Sequence, residues 1–364
     1  ELHLITGPLG TIVANYEILI ELIIRHHNKE YFPKIIASSA TIRRSKEQIR
    51  SIYSRECNIF PPSGIDYFDS YFAREVSSKE KFSGRKYVGL MLNSTNSMIT
   101  SEVNLISPLL QFPRTFFSDY LEESISSKTG RKYMKIQEGS YLDNLNPYGT
   151  VVWYFNAMKE LSYARDLITS DIMERLNSYP KKYNINNALQ VRNAECEELT
   201  GRLNESDISR ILKKLELKWL PAPNDFKSIP IDVLLATNMI SVGIDIDRLG
   251  LMVINGQPKY TSEYIQASSR VGRKFPGLIL TLYNHAKTRD RSHYEMFKSY
   301  HQSFYKAVEP VSITPFAPNA RERCLPGIIF GIVRNIIELK DPNDYTEEVK
   351  KQIEGYMKLY YEKL

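Results

Sequence analysis

The sequence has little that would support a disulfide framework, a zinc site or a membrane span. Its three cysteines are far apart and form no C-x-x-C pair, so neither a disulfide-rich fold nor a zinc ribbon is indicated. Apolar runs stay short of the roughly 18 residues that a transmembrane helix needs, because Glu17 and Glu21 interrupt the best of them. We therefore expect a reduced, cytoplasmic protein without a membrane partner.

Internal repeats and low-complexity tracts are also lacking, and the composition is that of a folded protein. With 364 residues, 42% of them apolar and 25% charged, the chain can build two domains with buried cores. Its net charge of +6 suits a polyanionic partner without requiring one. The chain begins with Glu-Leu-His and no initiator Met, so we expect it to be part of a longer protein.

Short runs rich in Val, Ile and Leu recur along the chain, each followed by a helical pattern. Runs of this kind are typical of buried parallel strands that alternate with helices. The pattern predicts an α/β fold with a mostly parallel sheet. The predicted strands cover residues 34–37, 87–92, 150–155, 231–236, 249–254 and 278–283.

The strongest local signal is a Q-x-x-x-R-x-G-R spacing formed by Gln266, Arg270, Gly272 and Arg273. If the segment is helical, the two arginines lie on one face and both can point at one phosphate group. An arginine placed in this way stabilises charge on a transferring phosphoryl group. If the motif is considered by itself, the alternative to phosphate binding is a solvated basic helix end.

A second signal lies about twenty residues upstream, where a strand is followed by Thr237, Gly243 and Asp245. A loop of this kind can bind a nucleic-acid phosphate through Thr237 and reach a ribose or the arginines through Asp245. Without the arginine motif, the alternative interpretation of this loop is an ordinary β-turn with no binding role.

Two weaker signals precede these. Ser39 and Thr41 belong to a Ser-Ala-Thr segment that follows the predicted strand at 34–37. Glu1 and His3 could end an acidic box in which a carboxylate positions the water that attacks a γ-phosphate.

The order of these four motifs resembles that of motifs two, three, five and six in superfamily-two helicases of the DExH type. Asn156 and the segment Thr200-Gly-Arg202 are similar to motif four and the stretch after it. The resemblance implies two RecA-like domains that bind ATP and Mg²⁺ between them. Residues 1–75 would end the first domain, 76–283 would form the second, and 284–364 would be a helical extension.

The resemblance also implies a role for each matched residue. The catalytic positions would be Glu1, His3, Arg270 and Arg273. The positions that approach ATP would be Gly243, Asp245 and Gln266. His3, Ser39 and Thr41 would couple the nucleotide state to domain movement. The positions that touch nucleic acid would be Asn156, Thr200, Arg202 and Thr237.

The sequence departs from the helicase pattern in one respect. It contains no G-x-x-x-x-G-K-[ST], the loop that cradles the β- and γ-phosphates. The aspartate that would hold Mg²⁺ is expected just before Glu1, so no metal ligand is expected within the chain. We expect this chain alone not to hydrolyse ATP.

Longer stretches resemble one branch of the superfamily, the DrmA helicases of the DISARM anti-phage defence system. They cover residues 1–11, 156–161, 235–258 and parts of 293–323. This resemblance implies a DNA motor that works with a DrmB-type companion and a methylase. Two alternatives remain, an RNA helicase and a nucleic-acid-binding scaffold without catalysis. The aromatic and basic tail after residue 283 either stacks on bases or packs against the second domain.

Overall fold

The computed structural model describes most of the chain. The described residues are 2, 5, 7–39, 44–62, 64–66, 69, 71–72, 84–91, 97–116, 121–125, 132–136, 141–219, 229–238, 245–310 and 313–363. They form two compact units, of which the first combines Glu1–Pro62 with Val308–Leu364 and the second spans Ser63–Ala307. The domain boundaries at 75 and 283 stay predictions.

The second unit contains a six-stranded sheet in the order β1-β8-β7-β4-β6-β5, in which every described pair is parallel. A separate antiparallel hairpin is formed by β2 and β3. The strands are β1 (Arg85–Met91), β2 (Leu121–Ile125), β3 (Lys132–Ile136), β4 (Val151–Phe155), β5 (Cys196–Leu199), β6 (Val233–Ala236), β7 (Leu251–Asn255) and β8 (Gly277–Tyr283).

Helices cover the sheet and form most of the first unit. They are α1 (Gly7–His27), α2 (Ser45–Tyr53), α3 (Met98–Thr115), α4 (Tyr141–Leu145), α5 (Met158–Leu167), α6 (Met173–Tyr183), α7 (Glu205–Glu216), α8 (Thr261–Ser268), α9 (Thr288–Glu295), α10 (Phe297–Gln302), α11 (Pro318–Asn335) and α12 (Glu347–Lys363). A π-helical turn, Ile168–Ile172, joins α5 to α6.

The sheet is buried on both faces, which explains why its central strands are continuously apolar. Alternate residues of β4 enter two different cores: Trp153 packs with Ile106 on one face, and Tyr154 packs with Ile254 and Tyr264 on the other. Burial on both faces is the normal environment of parallel strands. The predicted α/β fold with a parallel sheet is therefore confirmed.

Five of the six predicted strands are present, and the sequence pattern missed the hairpin strands β2 and β3 and the sheet strand β5. Strand β5 is the one that belongs to the parallel sheet. This strand has only four residues and includes Glu197 and Glu198, so it carries no apolar run. The predicted strand at 34–37 is wrong. That segment is irregular, Ile36 is 85% exposed, and no strand pairs with it among the described residues of its unit.

Helix α1 is long and apolar enough to cross a membrane by length and composition, which differs from the expectation from sequence. A core helix passes the same test. In the first unit, Leu19 and Leu22 pack with Ile328 and Ile332 of α11, and Tyr360 of α12 completes the cluster. This packing accounts for the apolar stripe of α1.

Candidate functional site

The parallel sheet separates the candidate residues into two groups. Asn156, Thr200 and Thr237 directly follow the last residues of β4, β5 and β6, so they lie at the carboxyl edge of the sheet. Asp245 and Arg273 precede β7 and β8 and therefore lie at the amino edge. Four or five strand residues separate these edges by roughly 13–17 Å. Thr237 and Asp245 both belong to the connection between β6 and β7, and Asp245 reaches the arginine motif as expected, because Arg273 hydrogen-bonds to it.

At the amino edge, Arg273 donates a hydrogen bond to the carboxylate of Asp245. Next to this pair, Nζ of Lys274 lies 3.8 Å from an oxygen of Asp247. The side chain of Arg273 is 30% exposed and that of Asp245 is 64% exposed, so both are accessible from solvent. With Arg85 and Ser269, these four residues line a shallow pocket of about 520 Å³.

The arginine motif is a loop, not a helix. Helix α8 includes Gln266 and ends at Ser268, so Arg270 and Arg273 do not share a helix face as expected. Gly272 has a φ of +68°, and an added Cβ would lie 2.6 Å from Cα of Gly277. The left-handed Gly272 packs closely against the backbone of Gly277, between Arg270 and Arg273 on one side and the start of β8 on the other.

Arg85 is a residue at this edge that the sequence analysis missed. It begins β1 and donates hydrogen bonds to the carbonyl oxygens of Ser269 and Val271. In the sequence it ends a segment rich in Ser and Lys, residues 77–85, that looks like a linker. No local pattern signals its contact with residues 269–276, the segment between α8 and β8 that we call the arginine loop.

At the carboxyl edge, Asn156 fixes the turn that follows β7. Its Nδ2 donates to the carbonyl oxygens of Asn255 at 3.0 Å and Gly256 at 3.1 Å. Gly256 has a φ of +76°, which favours glycine at this turn. The side-chain amide nitrogen of Asn156 is therefore already engaged in holding the turn after β7.

Two neighbouring residues of α9, also missed from sequence, hold the same loops. The carboxylate of Asp290, which is 4% exposed, accepts hydrogen bonds from the backbone N–H groups of Gln257 at 3.3 Å and Asn284 at 2.9 Å. Arg289 donates to the carbonyl oxygens of Gln257, Pro258 and Lys259. One helix thus fixes the loops after both β7 and β8.

The remaining nucleic-acid candidates differ in accessibility. Arg202 is exposed, and Thr237 is half-buried with its N–H bonded to Leu199. Thr200 is only 1% exposed, and its hydroxyl finds no partner among the described residues. A contact between the Thr200 hydroxyl and a nucleic-acid backbone is therefore not available in this conformation, because the end of β5 is covered.

Five predicted positions lie outside the described residues or in the first unit. Glu1, His3, Thr41 and Gly243 lie outside the described residues. Ser39 is half-buried in the first unit. The roles predicted for these five residues stay predictions.

Residues 284–307, the part of the tail that belongs to the second unit, pack within that unit through some of their aromatic side chains. Nε2 of His301 lies 2.9 Å from the hydroxyl of Tyr264, and burial lowers the pKa of His301. The ring centroids of Phe297 and His301 are 4.0 Å apart. Tyr305, in contrast, is 57% exposed. Of the two alternatives for the tail, packing against protein therefore applies to Phe297 and His301.

The amino-edge pocket has the groups that a nucleotide phosphate requires. Two cations in it, Arg273 and Lys274, are paired with carboxylates, while two donor nitrogens of Arg85 are bonded to the carbonyl oxygens of Ser269 and Val271. An incoming phosphate would take the place of those carboxylates on the cations. Within the ranges that the structure describes, no group of three or more His, Cys, Asp or Glu side chains could hold a metal ion.

Comparison with known proteins shows a helicase relationship. The helicase conserved C-terminal domain model matches residues 159–275. DISARM protein DrmA of Bacillus paralicheniformis is 43% identical over 337 residues, which cover 92% of this chain and 27% of that protein. The chain therefore spans about a quarter of the length of this curated relative.

Two solved structures share the fold at low sequence identity. The DUF1998 helicase MrfA bound to DNA is 16% identical, with a TM-score of 0.51 over 91% of this chain and 34% of that one. MrfA bound to DNA and AMPPNP gives a TM-score of 0.53 at 16% identity, over 91% of this chain and 36% of that one.

Proposed function

We propose that this chain is a superfamily-two helicase and forms the C-terminal part of an ATP-dependent DNA helicase or translocase that acts in anti-phage defence. The proposal is supported by its relation to DISARM protein DrmA and by the match to the helicase conserved C-terminal domain. The observation that carries the proposal is the pairing of Asp245 with Arg273 in an open pocket. Two motifs that are 28 residues apart in sequence meet there. A merely solvated basic segment would not need this arrangement.

In the proposed mechanism, Arg273 and Arg270 act on the phosphate end of ATP. Bound ATP and Mg²⁺ supply the phosphoryl group and the metal charge. Arg273 exchanges Asp245 for a phosphate oxygen, and its guanidinium stabilises the charge that grows in the transition state. Gln266 and Asp245 orient the nucleotide at the same edge. The chain lacks a P-loop, so we propose that it is inactive alone.

We assign nucleic-acid contacts to the carboxyl edge, through Asn156, Arg202 and Thr237. Two observations support DNA as the polymer: the kinship with DrmA, and the DNA in the MrfA structures. Single-stranded or partly duplex DNA and a DrmB-type companion are the proposed partners, in the cytoplasm. Separate edges for nucleotide and nucleic acid would let each ligand bind without blocking the other.

The test is steady-state ATP hydrolysis by the full-length protein that contains this chain, with matched single-stranded DNA and RNA. We expect DNA to stimulate hydrolysis more than RNA. Arg273→Ala or Arg270→Ala should lower turnover by about 10²- to 10³-fold with little loss of ATP or DNA binding. Arg165→Ala, which removes an exposed arginine of the second unit, is the matched control.

Each alternative predicts a different result. Stronger stimulation by RNA would favour an RNA helicase. ATP binding without stimulated hydrolysis would favour a scaffold. Ordinary turnover in both arginine variants would contradict the assignment of the arginine motif.

A further inference from the structure

Arg85 occupies a position from which it can set the geometry of the arginine loop. It is the first residue of β1 and pairs in register with Gly277, the first residue of β8. Its Nε donates to the carbonyl oxygen of Val271 at 2.7 Å, and its Nη2 donates to that of Ser269 at 3.0 Å. These carbonyls belong to the residues on either side of Arg270.

The arginine loop needs donors of this kind. Helix α8 ends at Ser268, so the carbonyl groups of the following residues have no continuing helix to bond to. A guanidinium has several N–H donors in a planar fork and can therefore serve two carbonyls at once. Lysine, a single compact charge on a flexible stem, cannot reproduce that geometry.

Other contacts hold the loop on its remaining sides. The N–H of Gly272 donates to the carbonyl oxygen of Leu249 at 2.8 Å, just before β7. The hydroxyls of Tyr87, on β1, and Ser268 lie 3.2 Å apart. With β7 on one side and β1 on the other, the loop is fixed at three points, and Arg85 supplies the one nearest Arg270.

We infer that Arg85 is a positioning residue that aims Arg270 and Arg273 at the phosphate of a bound nucleotide. The inference rests on the proposed function for its catalytic consequence. The structural claim, that Arg85 holds the loop, depends only on its two hydrogen bonds and not on the proposed function. Arg85 acts through the backbone and not as a catalytic group.

The test uses the full-length protein and the variants Arg85→Gln, Arg85→Lys and Lys86→Gln. Lys86 is the matched control, because it is exposed, follows Arg85 on the same strand and points to the opposite face. Both glutamine variants remove one positive charge. Only Arg85→Gln removes the guanidinium fork that serves the two carbonyl groups of the loop.

Limited trypsin digestion reports on the loop without any activity. Trypsin cleaves after arginine and lysine, and the loop contains Arg270, Arg273 and Lys274. We expect Arg85→Gln to accelerate cleavage at these sites by about fivefold or more through local opening. Lys86→Gln should leave the cleavage rate unchanged, and Arg85→Lys should be intermediate.

Steady-state kinetics report on the catalytic consequence. We expect Arg85→Gln to lower DNA-stimulated kcat by about 10- to 100-fold, with the KM for ATP within about twofold. A residue that served only stability would leave kcat unchanged in protein that remains folded. Lys86→Gln should keep the kcat of the unmodified protein.

The outcomes separate the inference from the proposed function. Unchanged cleavage with Arg85→Gln would overturn the inference, whatever the kinetics. Faster cleavage with unchanged kcat would overturn the positioning role. An unmodified protein without DNA-stimulated hydrolysis would contradict the proposed function, and the digestion would still decide whether Arg85 holds the loop.

Discussion

The hydroxyl of Tyr154, a residue buried within β4, hydrogen-bonds to the carboxyl group of Glu263 on α8 and lies 2.7 Å from Oδ1 of Asn238. A phenol has one proton and cannot fully satisfy two acceptors. Either the Asn238 amide is turned so that it donates to the phenol, or Glu263 is protonated. Burial raises the pKa of Glu263, and the hydrogen bond from Tyr154 lowers it. Tyr154 therefore links the end of β6 to the first turn of α8.

Tyr154→Phe should destabilise the second unit by about 1–2 kcal/mol, because it removes the hydrogen bond between a buried phenol and the half-buried carboxyl group of Glu263. It should also raise the pKa of Glu263 further, since the Tyr154 hydrogen bond lowers it. The measurement is urea unfolding followed by tryptophan fluorescence. Trp153 and Trp219 are both buried in the second unit and are the two tryptophans of the chain. Tyr183→Phe, at an exposed position, is the control; an equal loss in both variants would contradict the prediction.

Glu102 gives a prediction about pH. It is 4% exposed on α3, and burial raises its pKa from 4.5 to about 7, with a further increase from the charge of Glu160. A carboxyl group whose pKa is higher in the folded state contributes stability that is complete below its unfolded pKa. That contribution is lost as the pH rises through about 7.

Glu102→Gln should therefore remove a pH dependence. Compared with the variant, the unmodified chain should lose up to roughly 3 kcal/mol of unfolding free energy between pH 4.5 and pH 8. Urea unfolding at the two pH values, followed by tryptophan fluorescence, measures the difference. Glu216→Gln removes an exposed carboxylate and keeps Glu102, so its pH profile should match that of the unmodified chain. If both variants had the same pH profile, the assignment of the effect to Glu102 would fail.

The sheet could be predicted from sequence because its central strands are apolar along their whole length. The runs that became β4, β6 and β7 contain no charged residue within the strand. The short strand β5 could not be predicted, since Glu197 and Glu198 form half of it. The run at 34–37 had the right composition, yet no described strand of its unit pairs with it.

The candidate site was only partly predictable for a related reason. The residues of a local motif, such as Arg270 and Arg273, are visible in the sequence. Arg85 contacts Ser269 across 184 residues of sequence, and Asp290 reaches Gln257 across 33. Such partners have no fixed spacing, because the fold and not the local chain brings them together. The helical arrangement of the arginines was mispredicted since the spacing alone does not reveal the left-handed Gly272.

Gly272→Ala tests that conformation. The residue has a φ of +68°, and a Cβ would meet Cα of Gly277 at 2.6 Å and its nitrogen at 2.9 Å. Both the backbone conformation and the contact are unfavourable for alanine, so we expect a loss of about 1–3 kcal/mol in thermal or urea unfolding. Gly355→Ala is the control, since no atom lies within 4 Å of its added Cβ. It should be neutral or slightly stabilising in its helix, and a similar loss in both variants would contradict the explanation.

Asp290→Asn tests the carboxyl edge, because the change in charge and the change in loop geometry predict opposite effects on DNA affinity. Removing a negative charge near a polyanion ordinarily strengthens binding. The Asp290 carboxylate, however, accepts from the backbone N–H groups of Gln257 and Asn284, and an amide has only one oxygen to offer. One of the two loops should therefore lose its hydrogen bond to residue 290. The DNA affinity of the full-length protein should fall by about three- to tenfold.

Asp166→Asn makes the same charge change at an exposed position of α5 and is the matched control. Fluorescence anisotropy with a labelled single strand at fixed salt measures both variants. We expect Asp166→Asn to bind DNA as well as the unmodified protein or slightly more tightly. If Asp290→Asn also bound more tightly, charge alone would decide affinity, and the carboxyl-edge loops would not belong to the DNA-binding surface.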